Sequence, residues 1–140
     1  MLWTGATIAY FSGILVSMMT LAIEGDDHQK FKWSMLAMVG FGFGEILGCF
    51  FIGMIVDRFG SKMAILSNVL MTIIMFGVTL AFIDKFEFNS LAWAMCFLWG
   101  FQDAALNTEI LEVIGFEFDN ESSEPFSVYN ILQSLSCIVF

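Results

Sequence analysis

Two stretches of this chain run for a full membrane thickness without a charge. None occurs from Leu2 to Ile23, and none from Met63 to Ile83. A helix needs about 20 mostly apolar residues to cross a bilayer. In hydrocarbon the backbone must satisfy its own polar groups, so an isolated apolar run of that length is held to a helix. The remainder is of the same kind: 59% of the 140 residues are hydrophobic and 14% are charged, with a mean hydropathy of +0.83. A soluble domain would be about a quarter charged. The fold class is therefore all-α integral membrane, with room for four full spans and part of a fifth.

The spans are expected at about 2–23, 33–56, 63–83, 90–114 and 126–140, forming a single membrane domain. The last is uncharged but only about 22 Å long as a helix, short of the ~30 Å hydrocarbon core. It reads as a chain that stops inside a helix, and so as a fragment or a truncated gene product. The N-terminus lacks the basic region of a cleavable signal, and its apolar run is too long for one. The protein is expected to be multi-pass, with its first span directing insertion.

The net charge of −9 argues against nucleic acid or anionic headgroups as partners. Membrane lipid is the surrounding medium. Cys49, Cys96 and Cys137 lie in apolar runs without a CxxC pair, the pattern of buried, reduced thiols. Asp26, Asp27 and His28 are consecutive, and adjacent side chains do not converge on one metal. No nucleotide, phosphate or zinc motif is present, and no nucleophile–base pair. The sequence implies no cofactor, no metal and no enzyme.

Polar groups inside the spans are the candidate functional residues. Glu45 is the only charge within the second span. A carboxylate there costs at least ~2.5 kcal/mol, so it is expected to face the bundle interior or to be protonated. Asp103 and Asn107 are four apart and share a helix face. Glu109 and Glu112, three apart, share another. With Trp93 and Trp99, the fourth span reads as one that lines a cavity. Gly44, Gly48 and Gly53 suggest a close-packed face on the second span. Gly5, Ala6, Ala9, Ser12 and Gly13 form a small-residue stripe on the first, favoured here as plain packing.

The stretch from Gly53 to Lys62 gathers an acid, two bases and two glycines between two apolar runs. Asp57 falls at the C-terminal end of a helix, where the macrodipole disfavours an anion. Arg58 and Lys62 are near enough in sequence to compensate it. Further on, Pro125 fits the first turn of a helix capped by Ser122 or Ser123.

The pattern Gly53-x-x-x-Asp57-Arg58-x-Gly60-x-Lys62 resembles the signature loop of the major facilitator superfamily. Leu2-Trp3-Thr4-Gly5 with Ala9-Tyr10-Phe11-Ser12-Gly13, Gly42-Phe43-Gly44-Glu45-Ile46-Leu47-Gly48, and Trp99-Gly100-Phe101-Gln102-Asp103-Ala104-Ala105-Leu106-Asn107-Thr108 with Gly115 and Pro125-Phe126 are similar to the uncoordinated-93-like family. The resemblance implies a partial facilitator-type bundle, the C-terminal half of a twelve-helix protein from helix seven into helix eleven. It departs at Glu109, where the family commonly has Gln, and at Ser61, where a base is usual.

The resemblance also implies a second partner for Asp57: the N-terminus of the helix beginning near Pro125, admitted by Gly53. Gly53, Asp57, Arg58, Gly60 and Lys62 would then form a conformational latch. It places 57–62 in the cytosol. Charge counting does not decide orientation, since the 24–32 and 84–89 loops hold three bases against two at 57–62 and 115–124. The sequon at Asn120-Glu121-Ser122 lies on the same side as the 57–62 loop and is expected to be unmodified.

Three functions follow. The family includes ion-channel regulators and receptor-trafficking factors, which implies a regulator or escort of another membrane protein. A small-solute facilitator would use Glu45, Asp103 and Asn107 as polar cavity groups. The alternative is a structural transmembrane subunit of a larger complex. The expected partner is another membrane protein or a missing N-terminal half.

Overall fold

The first helical segment changes pitch twice. Helix α1 covers Leu2–Ala9, a π-helical stretch follows over Tyr10–Leu15, and α2 resumes over Val16–Ala22. The computed structural model describes residues 2–118 and 123–139. Long helices α3 (Asp27–Phe59), α4 (Ser61–Lys85) and α5 (Ser90–Glu117) follow, then the shorter α6 (Ser123–Val139). Among the described residues there is no strand. The Asn120 sequon and the Ser122 cap lie outside the described residues, as does the side chain of Ser123.

The helices overrun the uncharged stretches. The polar segment 24–32 reads in the sequence as a connector, but its last six residues already belong to α3. Asp26 starts the helix: its carbonyl accepts from Gln29 N and Lys30 N at 2.9 and 3.0 Å, and its side chain accepts from Asp27 N. An acid at a helix start is favoured by the macrodipole. Asn89 caps α5 in the usual way, its Oδ1 accepting from Leu91 N at 2.8 Å.

A single residue, Gly60, joins α3 to α4. Its N–H donates to Val56 O at 2.9 Å and its φ is +82°, a conformation that glycine adopts without a Cβ clash. Phe86 closes α4 in the left-handed helical region at φ 45°, with its N–H donating to Phe82 O at 2.7 Å.

Helix α5 is the centre of the bundle. It packs most extensively on α3, then on α4, while α1 lies along α6. Among the described residues, three helical segments are long and apolar enough to cross a membrane: Trp3–Ala22, Asp27–Phe59 and Ser61–Lys85. On α5, Gln102, Asp103 and Glu109 are among the buried residues. Its polar groups point to neighbouring helices, which is how a buried helix can carry them.

The α3–α5 contact is set by glycines. A Cβ on Gly44 would strike the Phe97 carbonyl oxygen, and one on Gly48 the carbonyl of Phe101. One on Gly100 would strike that of Phe41. The backbones therefore touch, which is the use of small residues between membrane helices. Gly53 has open space where its Cβ would stand. The stripe on the first segment divides likewise: Gly5 lies against Gln133 and Ser136 of α6, and Gly13 meets nothing within 4 Å.

A core of Leu15, Met19, Phe41, Met75, Phe82, Met95 and Trp99 joins α2 to α5 and the π-helical stretch. Opposite faces carry exposed Phe43, Phe50, Met54, Ile73 and Leu80, a surface suited to lipid. Cys49 belongs to that surface. All three cysteines are free, but only Cys96 is buried; Cys137 is half-buried and Cys49 exposed. An apolar run in a membrane helix does not imply burial by protein, and the expectation of buried thiols is corrected at Cys49.

Candidate functional site

Asp103 and Asn107 sit on one face of α5, as their spacing requires, and the side chains meet. Asn107 Nδ2 donates to Asp103 O at 2.9 Å and to Asp103 Oδ2 at 3.2 Å. Both amide hydrogens are thus used on one residue. Asn107 Oδ1 accepts from two donors on α6: the Tyr129 hydroxyl, and Gln133 Nε2 at 3.0 Å. Gln133 Nε2 also lies 3.2 Å from the Tyr129 hydroxyl.

The other oxygen of Asp103 turns to α1. Thr7 Oγ1 is 2.9 Å from Asp103 Oδ1 and 2.8 Å from Thr4 O. Thr7 has one hydroxyl proton for two acceptors. Either that proton is shared, or Asp103 donates one of its own and the Thr7 hydroxyl donates to the Thr4 carbonyl oxygen. Thr4 in turn hydrogen-bonds Tyr129. Six side chains from α1, α5 and α6 therefore form a closed polar node, with Asp103 only 6% exposed. Gly5, between Thr4 and Thr7, lets the α6 backbone approach.

Glu45 on α3 is half-buried and near enough to Asp103 for their charges to interact. The candidate cavity groups Glu45, Asp103 and Asn107 thus lie in one region. Beside it, Trp99 donates its Nε1 to Thr79 Oγ1 at 3.0 Å and stacks on Tyr10, with ring centroids 4.4 Å apart. Tyr10 opens the π-helical stretch, so the irregular turn presents an aromatic ring to α5. Gln102 is 1% exposed, and its amide finds no partner among the described residues.

A second polar pair lies nearer the end of α5. Asn68 Nδ2 on α4 donates to Glu109 Oε2. Glu109 Oε1 and Glu112 Oε1 are buried and lack a partner among the described residues.

The signature-loop residues are spread along the α3–α4 turn. Gly60 makes the turn, while Asp57, Arg58 and Lys62 are exposed. Among the described residues neither base is paired with Asp57; its electrostatic neighbour is Glu112.

Sequence reasoning found the α5 half of the node and missed its partners. Tyr129 and Gln133 are four apart, the same signal as Asp103 and Asn107, but they stand in a run that is shorter than a full span. Thr4 and Thr7 are hidden in an uncharged run, where threonine often bonds only its own backbone. Asn68 gave no periodic signal.

Residues 84–140 match the family model described as ion channel regulatory protein UNC-93. The matched segment carries all of α5 and α6, and with them Asp103, Asn107, Tyr129 and Gln133. No solved structure matches the chain.

Proposed function

We propose that this chain forms part of a transporter-like, multi-pass membrane protein that regulates or escorts another membrane protein. The observation that carries the reading is the match to the ion channel regulatory family over α5 and α6, the two helices that Asn107 ties together. The bundle would be of the major facilitator type, with four crossing segments: the α1–α2 segment, α3, α4 and α5. The polar node would hold α1, α5 and α6 in one arrangement. Such a node supplies the shape-holding that a scaffold needs, because hydrocarbon offers no substitute hydrogen bonds.

The Gly53–Lys62 loop would serve as the latch of that bundle. Gly60 provides the tight turn, and Asp57, with Arg58 and Lys62, the charges at the membrane surface. Its α6 partner would bind Asp57 in one conformation and release it in the other.

Co-expression with an ion channel tests the reading. The expected result is co-purification of the channel and altered current or surface level, without solute uptake. A channel unchanged in abundance, location and current would remove it.

One arrangement favours a second reading, small-solute facilitation: Glu45, Asp103 and Asn107 gathered beside the Tyr10–Trp99 stack. Under it, uptake would fall on Glu45→Gln or Asp103→Asn while the protein level held.

A further inference from the structure

An open trough of about 660 Å³ lies between α4 and α5, with Trp3 at its rim. One wall is Ile65, Val69 and Thr72; the other is Leu106, Ile110 and Val113. On each helix these positions run i, i+4, i+7. They form two ridges, each about 10 Å long, of the kind a third helix packs between. Ile65 and Val69 stand half-exposed along the outer edge.

Glu109 lines the trough and is only 5% exposed. Asn68 donates to one of its oxygens, and Oε1 has no donor among the described residues. One turn further on, Glu112 Oε1 is in the same position, and Glu112 feels the charges of both Glu109 and Asp57. No basic side chain among the described residues pairs with either carboxyl group. Acyl chains lying over the trough would bring no donor to a buried oxygen. A fitting occupant is apolar along two helical turns and brings a hydrogen-bond donor. The acidic surroundings select a cationic donor over a neutral one.

We propose that this trough receives a transmembrane helix of another membrane protein, one carrying a single Lys or Arg side chain that Glu109 accepts. The inference rests on the reading of the chain as a regulator or escort, and it locates the surface on which the partner docks.

The test uses the purified chain in phosphatidylcholine nanodiscs with leucine-rich transmembrane peptides. One peptide has a central Lys and the other has none; binding is followed by energy transfer. The Lys peptide is expected to bind at least 10-fold more tightly than the uncharged one. Glu109→Leu should abolish the difference. Val69→Trp, which fills the trough without altering Glu109, should block both peptides while leaving the helical content unchanged.

Equal binding of the two peptides would overturn the proposal, because the trough would then take an apolar helix without using Glu109. So would a Lys preference that survives Glu109→Leu, or loss of binding when phosphatidylethanolamine replaces phosphatidylcholine, which would assign the site to a lipid amine. Cross-links from the trough to a second copy of the chain, in place of the peptide, would overturn it as well. Channel regulation that persists in Val69→Trp would remove the trough and leave the regulatory reading standing. Intact peptide binding without any effect on a channel would do the reverse.

Discussion

The Tyr129 hydroxyl on α6 donates to Asn107 Oδ1 on α5, and Asn107 spends both of its own N–H groups on Asp103. One amide thereby joins α6 to the residue that holds α1 through Thr7. The direction of each bond is fixed by chemistry. Asn107 accepts from the α6 side and donates to Asp103, so neither Leu nor Asp can replace it.

Asn107→Leu is therefore expected to cost about 2 kcal/mol, the range for leaving buried partners unsatisfied. Three groups lose a partner at once: the Tyr129 hydroxyl, the Gln133 amide and one oxygen of Asp103. Reversible unfolding in mixed micelles gives the number. Helix α6 should also become more accessible to proteolysis, because Asn107 holds it to α5. A loss below about 0.5 kcal/mol would place the node among the weak interhelical bonds that membrane proteins tolerate.

The glycines make a sharper comparison. Gly44→Ala puts a Cβ into the Phe97 carbonyl of α5, while Gly42→Ala meets nothing within 4 Å. Backbone cannot rotate away as a side chain can, so Gly44→Ala should destabilise by about 1–3 kcal/mol. Gly42→Ala, two residues away on the same helix, should stay within about 0.5 kcal/mol of the parent. The same unfolding assay compares the two. Equal effects would mean that glycine acts here through helix propensity and not through the α3–α5 contact.

These two cases show what was legible in the sequence. Gly44 and Gly48 announced a close-packed face by their spacing, and the α5 backbone lies on it. Gly53, added to the same stripe, stands in open space, because spacing alone does not say where a neighbour ends. Asp103 and Asn107 announced a shared face. Their partners did not announce themselves: Thr7 is polar enough to bond a carboxyl group and apolar enough to pass unnoticed in a span. Helices α3 and α4 extend beyond the uncharged runs for a different reason. Charge marks where a helix leaves the lipid, not where its hydrogen bonding stops, and Asp27 to Lys32 continue as helix outside the uncharged run.

Asn68 and Glu109 permit a test in which two changes cost less than one. Asn68→Leu alone leaves both oxygens of Glu109 without a donor among the described residues. A stranded buried acceptor costs about 1–3 kcal/mol. Asn68→Leu combined with Glu109→Leu removes donor and acceptor together and should recover most of that loss. A double-mutant cycle measures the coupling. Additive effects would show that the pair is not bonded in the membrane.

Asp57→Asn separates two consequences of one charge. Asp57 and Glu112 are acids in electrostatic contact, so neutralising Asp57 relieves a repulsion. At an exposed position such a change is worth only a few tenths of a kcal/mol, and unfolding should stay within about 0.5 kcal/mol of the parent. The latch proposed for the Gly53–Lys62 loop adds a different expectation. Losing the anion at the α3 terminus should shift the balance between open and closed arrangements, since only one of them uses it. A cysteine placed at Ser61, half-buried at the start of α4 beside the exposed Gly60, reports this through its rate of maleimide labelling. We expect faster labelling in Asp57→Asn at unchanged stability, and the same with Asp57→Ala. If labelling is unchanged in both, Asp57 is a solvated end-of-helix charge, and the loop's contribution reduces to the turn made by Gly60.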